Sequence, residues 1–263
     1  LGRVLRKDEY SGKIFHLTPE NSESFTFLFE WVIAKGQTVG QVKKEILFAA
    51  KKQHMLDIAY KKSRLRLKNW KNPCKVYLDD QKFGDDITVT NNFEIFLQDL
   101  GEGEIVTNSN QLCLFVKRWC PSTLTLTPFH EVVLNMPIID ELKKKLSEEF
   151  DIPKEFVEVA YLKGSFPCDM NILDIQNELE WNHNTNSTES WPLNIYQDGS
   201  VFLYRDSREP LKELTLEEKK EINQRENIRL GKFSTKSHSP RRERALKIYL
   251  DTSPGKSDEV CGD

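Results

Sequence analysis

Residues 25–52 constrain this chain more than any other stretch. Phe25-Thr26-Phe27-Leu28-Phe29-Glu30-Trp31-Val32-Ile33 is dense in aromatic and β-branched side chains, which suit a pleated, half-buried surface. Lys35-Gly36-Gln37 breaks the run, and Thr38-Val39-Gly40-Gln41 then sets a threonine three residues before a glutamine. That is the pattern of a capping box, in which two side chains satisfy backbone N–H groups that a helix start leaves free. The spacing predicts a helix from Val39, with Val39, Val42, Ile46 and Ala49 or Ala50 on one face. A strand feeding straight into one amphipathic helix implies a sheet that wraps the helix.

The surrounding residues supply the rest of such a sheet. Lys13-Ile14-Phe15-His16-Leu17 alternates weakly and predicts a first strand, with residues 19–24 as its turn. Arg64-Leu65-Arg66-Leu67-Lys68-Asn69-Trp70 alternates at period two. Leu65 and Leu67 are expected to face the core, and Arg64, Arg66 and Lys68 to face water. Lys71-Asn72-Pro73 should close that strand. Val76-Tyr77-Leu78 reads as a short strand ended by Asp79-Asp80, and Phe93-Glu94-Ile95-Phe96-Leu97 as the last of the unit. Strand, strand, helix, strand, short strand, strand is the order of a β-grasp fold.

The order then repeats after a polar connector at residues 101–109. Residues 111–119 predict a strand with Leu112, Leu114 and Val116 on one face; Pro121-Ser122 breaks it, and Phe129-His130-Glu131-Val132-Val133-Leu134 returns. Asn135-Met136-Pro137 marks a helix start, with Pro137 in or near the first turn, where a missing N–H costs nothing. Ile138 or Ile139, Leu142, Leu146 and Phe150 form its apolar stripe. Phe156-Val157-Glu158-Val159-Ala160-Tyr161-Leu162 and Gly199-Ser200-Val201-Phe202-Leu203-Tyr204-Arg205 predict the remaining strands. Residues 182–190, nearly all Asn, Thr and Ser, predict an exposed loop. The expected architecture is α+β: a linker at 1–11, β-grasp units at 12–100 and 110–205, then a helix and flexible tail at 206–263.

In that last segment Thr215 and Glu218 form a second capping box, opening a helix to about Arg229 with few apolar residues. Residues 231–239 are rich in Ser and Lys and predict disorder. Arg241-Arg242-Glu243-Arg244 then precedes an isolated apolar cluster, Ala245-Leu246-Lys247-Ile248-Tyr249-Leu250. Leu246, Ile248 and Leu250 share a face if extended, and Leu246, Tyr249 and Leu250 cluster if helical. Solubility explains such a cluster poorly; a docking peptide explains it well.

Composition excludes several classes. An apolar fraction of 38% with 30% charge suits a soluble globular protein, and a net charge of -3 gives no ground for nucleic acid or membrane partners. The longest apolar run is far too short to span a bilayer, and no apolar leader follows Leu1-Gly2-Arg3. An opening on Leu1 fits a piece of a longer chain. Five cysteines without a Cys-x-x-Cys pair fit free thiols in a reducing compartment, so a cytoplasmic or nuclear location is expected.

The element order, and Thr38-Val39-Gly40-Gln41-Val42-Lys43-Lys44-Glu45-Ile46 above all, resembles the second strand and helix of ubiquitin and its relatives. Two such units followed by Arg244-Ala245-Leu246-Lys247-Ile248-Tyr249-Leu250 resemble the C-terminal region of the ubiquitin-specific proteases, over about residues 12–205 and the tail. The resemblance implies a thiol-dependent deubiquitinase with its catalytic domain upstream. It also implies a tandem that recruits protein partners of the ubiquitin system and a terminal peptide that docks on the catalytic domain. Two departures bear on function. The position of ubiquitin's diglycine end holds Leu100-Gly101-Glu102-Gly103 and the chain continues, so neither unit can be conjugated as ubiquitin is. The Cys and His boxes of the protease domain are not in these residues.

Other chemistry finds little support. Cys113 and Cys120 lie on or beside one strand with His130 on the next, but an odd separation places the two thiols on opposite faces, and no catalytic box surrounds either. His16, His54, His130, His183 and His238 are scattered without ligand spacing, and Asp79-Asp80 and Asp85-Asp86 read as solvated loop pairs, so no metal or cofactor is expected. Lys61-Lys62-Ser63-Arg64 and Arg241-Arg242 read as solvated charge. Two functions of different class fit: a non-catalytic regulatory region of a deubiquitinase, and a ubiquitin-like scaffold in a protein without a protease domain.

Overall fold

Thr38 caps its helix as the sequence predicts. Its Oγ1 accepts from Gln41 N at 3.2 Å, and Gln41 Oε1 accepts from Thr38 N at 2.9 Å, so helix α1 runs Val39–His54. This is a computed structural model, and it describes residues 4–18, 25–164, 166–167, 169–182 and 185–231. The turn expected at 19–24 and the tail residues Ala245, Leu246, Lys247, Ile248, Tyr249 and Leu250 lie outside those residues.

α1 packs on one face of a five-stranded sheet. Its strands are β1 (Glu9–Leu17), β2 (Phe25–Ala34), β3 (Ser63–Asn69), β4 (Asn72–Tyr77) and β5 (Phe93–Asp99), in the order β2-β1-β5-β3-β4. β1 and β5 are parallel and the other pairs antiparallel. Val39, Val42, Ile46 and Ala50 of α1 are fully buried against Ile14, Ile33, Leu65 and Leu97. β1 starts earlier than Lys13 and takes in Glu9, Tyr10 and Ser11. Residues 71–73, expected to close β3, instead finish a tight turn and begin β4. Pro73 is tolerated there because β4 is an edge strand.

The second sheet comprises β6 (Leu112–Cys120), β7 (Thr125–Leu126), β8 (His130–Leu134), β9 (Val157–Leu162) and β10 (Val201–Asp206). Its order is β7-β6-β10-β9, with β8 also pairing β6, and its first and last strands, β6 and β10, are again the parallel pair. Helix α2 (Ile139–Phe150) covers one face, where Leu142 and Leu146 meet Leu114, Val116, Val159 and Phe202. α3 (Ile172–Glu178) and α4 (Leu216–Arg229) belong to the opposite face, over Phe115, Trp119 and Leu203. Both faces of β6 are therefore covered, which is why Leu112 to Val116 are buried without alternation. The class is α+β, with two mixed sheets and four α-helices among the described residues.

Three local expectations need correction. Arg64, Arg66 and Lys68 do not face water: they are 5%, 0% and 8% exposed, while Leu67 is 37% exposed. α2 starts at Ile139 with Ile138 as N-cap, so Pro137 lies before the helix. Residues 182–190 are not simply an exposed loop, since Asn186 O and Oδ1 accept from Ile139 N and Asp140 N, and Thr188 is fully buried against Pro137. The loop serves as the cap that α2 lacks in its own sequence.

Truncating Ile46 to Ala should cost roughly 2–5 kcal/mol, because the site is fully buried. Truncating Phe48, two residues on and 72% exposed, should change stability by less than about 0.5 kcal/mol. Urea unfolding of the two variants checks the contrast.

Candidate functional site

The period-two pattern of β3 places Arg64, Arg66 and Lys68 together on the sheet face away from α1. The second sheet lies over part of that face and turns it into a seam. Arg66 is fully buried and its donors are spread over both units. Nε donates to Cys74 O at 2.9 Å, Nη2 to Pro73 O at 2.8 Å, and Nη1 to Gln98 Oε1 at 3.0 Å and Glu131 Oε1 at 3.3 Å. Arg64 donates through Nε to Gln98 Oε1 at 3.0 Å and forms an ion pair with Glu131. Gln98 Nε2 closes the ring onto Glu131 Oε2 at 2.6 Å. Two guanidinium groups thus share one carboxylate from β8, and the Arg66 guanidinium also lies 5.2 Å from the Phe115 ring.

Backbone contacts flank this cluster. Asp198 accepts from Val76 N of the first unit at 2.9 Å and from Cys113 N of the second at 2.8 Å. Asn72 Oδ1 accepts from Phe166 N at 2.6 Å. Gly199 comes so close to Pro73 that a Cβ there would run into the Pro73 carbonyl, and its φ of +90° also favours glycine. A small apolar cluster, Val76, Cys113 and Val133 with Val106 of the connector, lies at the seam. Burial pulls the Arg66 pKa down to about 10, so the guanidinium remains charged at neutral pH.

Lys68 sits at the other end of the same face, paired with Glu94 and lying 4.3 Å from the Phe15 ring and 4.9 Å from that of Phe25. Its charge is held under aromatic rings and is not presented to solvent.

The thiols and histidines do not assemble a nucleophilic site. Cys113 Sγ contacts Glu131 and Arg64, and burial pushes its pKa up although both arginines oppose that shift. A thiol held protonated beside a carboxylate is the reverse of an activated nucleophile. His130, next to Glu131 on β8, points to the other face of the sheet, where Nε2 meets Glu149 Oε1 at 2.7 Å. Cys120, seven residues from Cys113, lies on the opposite side of β6. Asp79 is engaged by Lys43 at 2.7 Å and Tyr60 at 2.8 Å, and Asp86 accepts from Lys82 N at 2.8 Å. Among the described residues no group of three or more His, Cys, Asp or Glu could hold a metal ion. Within the basic run Lys62 pairs with Glu102, and Arg64 is turned inward.

Residues 12–249 match the family model for the C-terminal region of ubiquitin carboxyl-terminal hydrolase 47. The chain belongs to that family. It is 43% identical over 257 residues to ubiquitin carboxyl-terminal hydrolase 47 of Homo sapiens, covering 97% of this chain and 19% of the relative. The Xenopus tropicalis protein of the same name is 43% identical over 252 residues, 95% of this chain and 18% of the relative. That of Drosophila melanogaster is 35% identical over 274 residues, 99% and 17%. The chain thus spans about a fifth of the length of these relatives. Sequence resemblance by itself leans within the ubiquitin-specific proteases to hydrolase 40, with hydrolase 47 and the herpesvirus-associated enzyme next. The family model and these three relatives all point to hydrolase 47.

None of the seam residues is singled out by a sequence motif. Arg64 and Arg66 carry the pattern of a solvated face, and Glu131 is an ordinary strand residue. Replacing Glu131 with Ala strands two buried guanidiniums, and should cost about 3–5 kcal/mol in urea unfolding; Glu131→Gln, which keeps hydrogen-bonding capacity, should cost less. Alkali supplies a second check. Because the folded Cys113 pKa is raised, its contribution is full below the free-thiol value of 9.0 and is lost as pH rises from there through the folded value. Stability of the Cys113→Ser variant should fall less over that range.

Proposed function

We propose that these residues are the non-catalytic regulatory and partner-binding region of a deubiquitinating thiol protease, whose catalytic domain lies upstream in the longer protein. The carrying observation is the match of residues 12–249 to the C-terminal family of hydrolase 47, which reaches from the first sheet into the apolar tail. On this reading the two sheets belong to tandem ubiquitin-like β-grasp units, expected at 12–100 and 110–205, joined by residues 101–109 and flanked by a linker at 1–11 and a helix and tail at 206–263; β1 draws residues from Glu9 of that linker into the first unit, and β10 carries the second to Asp206. The central parallel pair in each sheet, and the helix that follows the antiparallel partner of the first strand in each unit, α1 after β2 and α2 after β8, support it. A scaffold in a protein without a protease is less well supported, because the relatives carry hydrolase names over nearly the whole of this chain.

The tandem offers surfaces to protein partners of the ubiquitin system, in the cytoplasm or nucleus, and not to nucleic acid or membrane. Residues Ala245, Leu246, Lys247, Ile248, Tyr249 and Leu250 dock on the catalytic domain and modulate its activity. The Cys113 environment favours a non-catalytic role for this region, since that thiol is taken up by packing.

The purified 263-residue chain is expected to leave a ubiquitin C-terminal reporter uncleaved; measurable turnover would overturn the reading. In the full-length enzyme, Leu246→Asp with Ile248→Asp should lower turnover roughly tenfold or more. Each aliphatic side chain is worth about 1.5–3 kcal/mol when buried, and about 1.4 kcal/mol is a factor of ten. Unchanged turnover would make the tail a bystander.

A further inference from the structure

A groove of about 540 Å³ opens on the α3–α4 side of the second unit. Trp119, Leu124, Ile172, Leu173, Leu211 and Leu214 supply its apolar lining. Its wall is buried while its mouth is not: Trp119 is fully buried, whereas Leu211 is 48% exposed. The indole Nε1–H of Trp119 has no acceptor among the described residues. Trp31 and Trp181 also have unpartnered indole nitrogens, but neither lines this groove. An apolar groove of this kind suits a short aliphatic segment.

We infer that this groove seats residues 246–250 of the same chain. The inference rests on the docking character proposed for the tail, and assigns it a resting place within this region in addition to the catalytic domain. Four observations select this occupant. Leu246, Ile248 and Leu250 supply three aliphatic side chains on one face of an extended segment, with carbonyls between them. The family match continues through residue 249 and so includes the tail in the same shared block as the groove. Reach is sufficient: α4 runs from beside the groove, at Lys219, to Glu226, whose carboxylate accepts from Ile172 N of the groove lining, so the chain leaves the helix close to the groove. The 16 residues 230–245 can return over about 50 Å. Finally, a tether of that length presents the segment at an effective concentration on the order of millimolar, which a free peptide partner would have to exceed. Docking here withholds the tail from any other surface, so the groove and the catalytic domain compete for one segment and the groove acts as a brake on its release.

Nuclear magnetic resonance of the full 263-residue chain labelled with ¹⁵N at tryptophan tests this directly. Relative to the unmodified chain, Leu246→Asp with Ile248→Asp, and separately Leu211→Asp at the exposed rim, should each shift the Trp119 indole signal. Each should also speed its hydrogen exchange roughly tenfold. The signals of Trp31 and Trp181, packed in the first and second units and outside the groove lining, should stay in place and signal an intact fold. A synthetic peptide of residues 240–252 added to the tail variant should restore the Trp119 signal. An unmoved Trp119 signal in both variants overturns the inference, even if the same tail substitutions lower turnover of the full-length enzyme, a result that would leave docking on the catalytic domain standing. A Trp119 shift that vanishes on dilution assigns the groove to a second copy of the chain, and likewise overturns docking within one chain.

Discussion

Arg64 and Arg66, both buried, reach across from one sheet to a single carboxylate on the other, the largely buried Glu131. The relative orientation of the two sheets depends on that meeting. Each guanidinium is a rigid planar fork whose donors need acceptors in fixed directions, and Arg66 finds them on β4, β5 and β8 together. An apolar contact tolerates sliding; this one does not. The apolar cluster at the seam, Val76, Cys113 and Val133 with Val106, is small beside the two cores. A buried ion pair adds little net stability over apolar packing of similar volume, yet removing one partner is costly. The two cores, around α1 and α2, therefore supply the stability of each unit, and the seam supplies their mutual orientation. Gly199 belongs to the same device, because any side chain there would push Pro73 away.

The elements with short-range causes are legible in the sequence. Both capping boxes, Thr38 with Gln41 and Thr215 with Glu218, form with the hydrogen bonds the pattern demands, and both helices start at the next residue. The stripe Val42, Ile46, Ala50 is buried as its period requires. For β3 the period is legible and the environment is not. Alternation tells which residues share a face and says nothing of what covers it. The group that covers Arg66 is 65 residues away, and a charged face opposite a complementary charged face looks in sequence like a face in water.

The remaining differences have the same origin. Pro137 satisfies the statistics of a helix start, yet the donors of α2 are met by Asn186, so the helix begins later. Asn and Ser are usually solvated, which makes residues 182–190 look exposed, whereas Asn186 is recruited by the orphan backbone groups of α2 and Thr188 is buried beside it. α3 has a weak signal, Asn171 as N-cap with Ile172 and Ile175 at helical spacing, in a helix too short for periodicity to stand out. Trp119 gives no cue at all. A tryptophan in an apolar strand reads as core, and only the packing of α3 and residues 211–214 around it leaves a groove at its indole.

α4 shows how the ordering of the molecule grades from one end to the other. It has few apolar residues to bury, and Leu216 and Ile228 remain 73% and 63% exposed. Besides the packing of Ile222, polar contacts position it: Glu226, 2% exposed, accepts from Ile172 N at 3.1 Å and is paired with Arg229, which in turn reaches Asp169 at 3.0 Å, and Asn223 Oδ1 accepts from Asn171 Nδ2 at 3.0 Å. A helix held by direction and not by area contributes little to global stability, and can detach at a cost well below that of unfolding either core. The contacts that would break on release of α4 are those of Glu226, Arg229 and Asn223 and the packing of Ile222, and none of them belongs to the seam, so the orientation of the two sheets does not depend on this helix.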